Sequence, residues 1–390
     1  MFFSGETSIS TYSGTVRNLI LASEINIDDH FLAEIQGSGN ASVFTANKVC
    51  ITSDSISTFS KTNTANQGAA FELTDSLSSL VISDKATVEV NQTGRLALVN
   101  SNTDSSFSRK RSGLAFNESP GLTGNGNSYF DSVIVGAGSQ LEINNVENGF
   151  SSIRARRSFV VEDSSEQKPT QLNGRRGNTA SSAFIQMDQQ NAEITIGDYT
   201  QIAVEQLGPM ITGTSGTTID IRNHVMIDNE HSFGLTSSVA VESIEIGDNC
   251  SINLTEPANA ATSTAYSTFL AQKTISIGQN TTIDFKQTRT TATNALFCLS
   301  ATDGQLNIGA ASTISAETRG AILQASLATV TLNDYSKVIG TVGQGFTGGT
   351  VVKKIDMKDS SEIILTEHNN NTNTGMFSIE ESFTMVLIRS

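Results

Sequence analysis

Cysteine, histidine and basic side chains are all scarce in this chain, and each shortage closes off a class of function. Three cysteines among 390 residues, Cys50, Cys250 and Cys298, form neither a disulfide framework nor a ligand pair. The four histidines, His30, His224, His231 and His368, show no ligand spacing such as H-x-x-x-H. No Ser–His–Asp or Cys–His set can be assembled from them. Lys and Arg total 24 against 39 Asp and Glu, giving a net charge of −15 and a pI of about 4.7. That balance argues against nucleic acid as a partner, because phosphate binding relies on Lys and Arg. Acidity of this size mostly reports solubility. No run of about 18 apolar residues occurs, so no membrane insertion is expected. The start, Met1-Phe2-Phe3-Ser4-Gly5-Glu6, lacks the charged segment and long apolar stretch of a signal peptide.

What is present is a repeat. Residues Ile244 to Leu254 read I-E-I-G-D-N-C-S-I-N-L: apolar first and third seats, a polar turn, a small seventh seat, then apolar ninth and eleventh seats. Frames of this kind start at Met1, Ile25, Val49, Leu80, Val133, Phe159, Ile194, Ile219, Ile244, Ile275, Leu306, Val330, Ile355 and Phe383. Every first and third seat is apolar. The ninth fails at Ser57 and Gln167, which makes their frames the least regular.

Each frame is two short alternating runs, the pattern of strands with one buried face. The turn between them holds Gly, Asp and Asn, which tolerate a tight corner. A third apolar run, such as Phe184-Ile185-Gln186-Met187 or Leu296-Phe297-Cys298-Leu299, closes most repeats. Three strands per repeat with no helical period predict an all-β fold. The expected architecture is a right-handed, single-stranded parallel β-helix, a solenoid of about 13 coils of about 24–31 residues. One continuous domain over 1–390 is expected, and its 37% hydrophobic share fits, since only inward seats must be apolar. The gap between the frames at Leu80 and Val133 predicts a long loop insertion at about 100–132, rich in Ser, Asn and Gly. Met1 and Phe3 already fill the first and third seats, and Phe383 and Met385 enter another frame. With no cap at either end, the chain reads as a fragment of a longer surface protein.

The frames I-E-I-G-D-N-C-S-I-N-L, I-S-I-G-Q-N-T-T-I-D-F, L-N-I-G-A-A-S-T-I-S-A and V-I-V-G-A-G-S-Q-L-E-I, with the phenylalanine-bearing strand before the next frame, carry a resemblance. The whole chain resembles the pectate-lyase-like adhesive domain of Gram-positive cell-surface proteins. The resemblance implies a secreted β-helix displayed at the cell wall and used for attachment, with no catalytic role. The extracellular, cell-surface location rests on it alone. The secretion signal and the wall-sorting motif or wall-binding domain normal in such proteins are missing from this sequence.

β-Helices also include enzymes that cleave polysaccharides. A hydrolase needs clustered carboxylates to protonate the leaving oxygen and activate water. Asn102-Thr103-Asp104 matches an N-T-D element, but no G-H-G or R-I-K follows, and the only D-D, Asp28-Asp29, precedes it. A lyase needs carboxylates holding calcium opposite a basic residue. The fifth seat offers Asp29, Asp84, Asp163, Asp198, Asp248, Asp334 and Asp359, interrupted by Ala137, Gln279 and Ala310. Neighbours in such a row stand about 4.8 Å apart. Corner Asp residues commonly bond their own backbone. The expectation is therefore no cofactor, with calcium at this row as the alternative.

Basic charge is concentrated once. Nine of the 24 basic residues lie between Arg109 and Arg176: Arg109, Lys110, Arg111, Arg154, Arg156, Arg157, Lys168, Arg175 and Arg176. As a patch, all of these but Lys168 are the candidate ligand-binding residues, suited to an acidic polysaccharide, wall teichoic acid or an acidic partner. As a scattered set, they would pair with local acids such as Glu162, Asp163 and Glu166. The sequence thus predicts a non-catalytic adhesin or binding scaffold for an extracellular glycan, wall polymer or host surface protein. Further coils or domains of a longer parent chain would adjoin it. A polysaccharide lyase or hydrolase and a structural spacer are the other readings.

Overall fold

In a computed structural model of the chain, the frames fold as their alternation dictates. The structure describes residues 1–4, 7–12, 18–28, 30–36, 42–61, 70–73, 79–92, 97–99, 106–109, 113–117, 130–145, 151–176, 183–206, 208–231, 235–236, 240–256, 268–287, 295–367 and 376–385. Among them there are strands and turns and no helix. The chain forms two compact units, Met1–Asp188 with Ala203–Glu205, and Gln189–Ile202 with Gln206–Ser390.

Within the first unit, parallel pairing sets Ile25 on Val49, Val49 on Leu80, and Val133 on Phe159. A second sheet sets Ser57 on Val88 and Leu141 on Leu172. Within the second unit, Ile194, Ile219, Ile244, Ile275, Leu306, Val330, Ile355 and Phe383 each lie opposite the next. Ile227, Ile252, Ile283, Ile314, Val338 and Ile363 do the same in their own sheet. Frame thus stacks on frame, an arrangement compatible with a parallel β-solenoid. Period-two alternation decides what is buried: Ile244 and Ile246 are enclosed while Glu245 between them is exposed. Phenylalanines of the third run stack inside, Phe269 on Phe297 with ring centres 5.3 Å apart.

The third run is less independent than its spacing implies. Phe297–Leu299 and Gln305–Ile308 are separate strands, but Ile153–Val161 and Phe269–Ile277 each carry a third run and the next first strand together. An extra residue at the junction is absorbed as a β-bulge, where two residues oppose one. These irregularities fall between Phe130 and Ser132, Val241 and Ser243, and Val352 and Lys354. An ion pair accompanies each bulge: Asp131 with Arg157 at 3.2 Å, Glu242 with Lys273 at 2.5 Å, and Lys353 with Glu381 at 3.8 Å.

Three expectations are corrected. The stretch expected as a loop insertion, about 100–132, contains another repeat. Ser106–Arg109 pairs between Ser79–Ile82 and Phe130–Val135, and Gly113–Asn117 pairs between Thr87–Gln92 and Gln140–Asn145. Its frame starts at Phe107, opposite both Leu80 and Val133. A polar third seat, Arg109, and a corner one residue shorter hide it from a fixed-length pattern. Ser57 is no irregularity, since it sits in register and fully buried. The frame before it is the contracted one, with Phe31 opposite Ser57. At the frame of Phe159 the corner is longer, a turn closed by the antiparallel Ser165–Lys168 bridge, so Leu172 and not Gln167 takes the ninth role.

The corner has a fixed conformation. Its sixth seat is left-handed in frame after frame: Asp54, Lys85, Gly138, Tyr199, His224, Asn249, Asn280, Ala311, Tyr335 and Ser360 have φ between 51° and 65°. At the fourth seat successive repeats approach closely. A Cβ on Gly309 would lie 2.2 Å from the Gly278 carbonyl oxygen, so glycine is required there.

Candidate functional site

Among the described residues, four of the candidate arginines face carboxylates. Arg154 makes a bidentate pair with Asp188, Nε to Oδ2 at 2.5 Å and Nη2 to Oδ1 at 3.1 Å, and both side chains are largely buried. Gln186 Nε2 donates to the same carboxylate at 2.8 Å. Arg156 and Arg157 both face Asp131, at 3.9 and 3.2 Å. Arg175, on the other sheet, meets Glu205 at 3.4 Å, with both side chains exposed. The acids they face are thus Asp188, Asp131 and Glu205. Lys168 lays its stem along Gly138, 3.1 Å from where a Cβ would stand. The Arg109 backbone lies in a strand. Lys110 and Arg111, and the side chains of Arg109 and Arg176, lie outside the described residues.

Several fifth-seat side chains reach the next repeat. Asp198 Oδ1 accepts from the Asn223 N–H at 2.9 Å, Asn223 Oδ1 from Asp248 at 2.9 Å, Asp248 Oδ1 from Gln279 at 2.6 Å, and Asp334 Oδ1 from Asp359 at 3.1 Å. Asx side chains are short acceptors well suited to an orphan corner N–H. Asp29 lies outside the described residues, and Asp163 falls in the lengthened corner.

The seventh seat completes the corner. Thr281 Oγ1 donates to the Gly247 carbonyl at 2.8 Å and Ser312 Oγ to Gly278 at 2.6 Å, each one repeat back. Cys250 occupies the same seat, its Sγ 3.0 Å from the Arg222 carbonyl. Burial pushes its thiol up to about 11, so it sits there as a neutral thiol.

Counting past the frame, a thirteenth seat ends the second strand, and its polar interior escaped the sequence reading. Gln206, Glu256, Gln287 and Thr318 are all buried there. Gln287 Nε2 donates to Glu256 Oε2 at 2.6 Å, and Gln287 Oε1 accepts from Thr318 Oγ1 at 3.1 Å and from the Arg319 N–H at 3.2 Å. The signal was available as a polar residue two places after the eleventh seat in the frames of Ile194, Ile244, Ile275 and Leu306. Buried polar groups need partners: Glu256, Gln287 and Thr318 of successive repeats bond one another, while Gln206 Nε2 donates to the Pro209 carbonyl of its own loop.

The sixth seat is where the corner presents side chains outward. Its backbone is held by the next repeat: Tyr199, His224, Asn249 and Asn280 donate their N–H to Asn223, Asp248, Gln279 and Ala310 at 3.2, 2.9, 2.8 and 2.9 Å. Left-handed backbone costs roughly 1–2 kcal/mol for a residue with a Cβ, and Gly and Asn are the usual occupants. Tyr199 and Tyr335 are therefore expensive choices, while His224 is of a type enriched in this conformation. The Tyr199 and His224 rings stack, 4.6 Å between centres and 5° from parallel. His224, Asn249 and Asn280 are exposed. His30, also at a sixth seat, begins a strand. Comparison with known proteins returns no matching family, no matching curated protein and no matching solved structure.

Proposed function

We propose that this chain is a non-catalytic binding scaffold of a cell surface, built as a right-handed β-helix of three-stranded coils and recognising an extracellular glycan, wall polymer or host ligand. The observation that carries the non-catalytic part is the fifth-seat row. A lyase would need those carboxylates gathered around calcium opposite a base; here Asp198, Asp248 and Asp334 each give one oxygen, Oδ1, to a bond that joins repeats. The resemblance of the frames to an adhesive domain supplies the attachment role and the extracellular location. Four of the eight candidate ligand-binding residues, Arg154, Arg156, Arg157 and Arg175, face acids. Attraction for an acidic polymer therefore weakens, and Arg154 belongs to packing.

The test is a panel of acidic and neutral polysaccharides run with the purified chain, with and without calcium. The expected outcome is retention of at least one polymer with no shortened or unsaturated sugars released. Product release would overturn the scaffold reading and favour the enzyme.

A further inference from the structure

We propose that the sixth-seat row formed by Tyr199, His224, Asn249 and Asn280 binds a neutral, extended polysaccharide laid along successive repeats. The inference rests on the scaffold reading and names its ligand class and its site.

Three observations converge on this row. First, the fifth and seventh seats carry side-chain hydrogen bonds that join the corners, Asp248 Oδ1 accepting from the Gln279 N–H and Thr281 Oγ1 donating to the Gly247 carbonyl. Second, two of the four are ring side chains in left-handed backbone, φ 56° and 57°, and at Tyr199 Asn or Gly would be less strained. Strain kept at such a half-buried position points from structure to function. Third, the row is rigid before any ligand arrives. Each sixth-seat N–H is bonded to the next repeat, and Tyr199 and His224 are locked as one parallel stack. A site organised in advance loses little entropy on binding.

The chemistry of the row selects the ligand. A phenol hydroxyl, an imidazole and two carboxamides offer donors and acceptors beside apolar ring surface, the mixture that suits hydroxyl-rich sugar rings. The seats recur at the strand spacing of about 4.8 Å, so the matching ligand carries repeating groups. Asp198 and Asp248 flank the row at the fifth seat, and the whole chain carries −15, which disfavours a polyanion. A neutral polymer remains.

The experiment is affinity electrophoresis of the full chain through gels holding a soluble neutral β-glucan, galactomannan or xylan, with polygalacturonate as the acidic control. Tyr199→Asn and His224→Asn keep a residue that tolerates left-handed backbone. Retardation by a neutral polymer is expected for the native chain. Combining both changes should weaken it about tenfold, as losing one or two hydrogen-bonding groups implies. The melting temperature should stay level or rise, because strain is relieved. Equal retardation of native and variant chains would overturn the row as the site and leave the scaffold reading standing. No retardation of the native chain by any neutral polymer would also overturn the row, and retention on polygalacturonate alone would then keep the scaffold reading. Cleavage of any polymer would instead sink the scaffold reading itself.

Discussion

The corners of the two units differ more than their strands do. In the second unit the corners from Ile194 to Ile355 keep one length and one conformation, with the sixth seat left-handed in each. In the first unit the corners at Val49, Leu80 and Val133 match these, with Asp54, Lys85 and Gly138 left-handed, but the others vary. The corner before Phe31 is short, the one after Arg109 is shorter by a residue, and the one through Ser165–Lys168 is extended by a turn. Yet first seat meets first seat in both units, from Ile25 on Val49 to Ile355 on Phe383. Register is therefore a property of the strands, where a one-residue slip would turn every buried side chain outward. Corner length is free so long as the corner's polar groups find partners. A fixed corner, as in the second unit, then calls for its own explanation, and a row of presented side chains provides one.

That comparison breaks most visibly by insertion. One glycine placed between Glu245 and Ile246 should abolish cooperative melting, because it reverses the inward and outward faces of that strand. One glycine between Glu166 and Gln167 should move the melting temperature by no more than a few degrees, since lengthening a loop costs about 0.6 kcal/mol even for a doubling. Equal damage from both insertions would contradict the distinction between strand and corner.

Arg154→Ser should cost about 3 kcal/mol in chemical denaturation, because Asp188 would be left largely buried without its cation. Adding Asp188→Asn should recover part of that loss, as coupled partners do in a double-mutant cycle. Additive losses would mean that the pair does not act as a unit. Arg175→Ser, at an exposed pair, should shift stability far less.

The smallest effect expected is at Cys250. Burial raises its pKa to about 11, so the neutral thiol is favoured in the folded chain. The stability this contributes is complete below the ordinary thiol range and is lost as pH rises towards 11. The native chain should fall in stability between about pH 9 and pH 11, and Cys250→Ser should flatten that part of the profile. Serine already serves this seat in Ser312, so the substitution should be mild at neutral pH. Rapid labelling of Cys250 by a thiol reagent at neutral pH without unfolding would contradict its burial.

Much of this architecture was legible because inward seats admit few residue types. The frames from Ile219 to Ile355 announce themselves by Ile, Leu and Val at seats one and three, and pairing follows them residue for residue. The repeat at Phe107 was hidden because Arg109 broke the apolar rule and a shorter corner broke the count. The polar thirteenth seat went unseen for a related reason. Glu256 and Gln287 look like strand-end solvation until the next repeat supplies the hydrogen bond that lets them be buried. The site was the least legible part. Charge drew attention to the arginines, whose acids lie up to 34 residues away along the chain, as Asp188 does from Arg154. Tyr199 and His224 stand 25 residues apart, and only stacked repeats bring their rings together.

The central claim is that the eleven-residue frame, stacked in register, decides which side chains are buried and which are presented. The most direct measurement compares thermal and denaturant melting of Ile246→Asp with that of Glu245→Lys. Ile246 is 3% exposed, between Ile221 and Ile277 in the ladder, so an aspartate there should cost about 4 kcal/mol. Glu245 points outward, and lysine there should change stability by less than about 0.5 kcal/mol. Equal losses from the two neighbours would contradict the frame and everything built upon it.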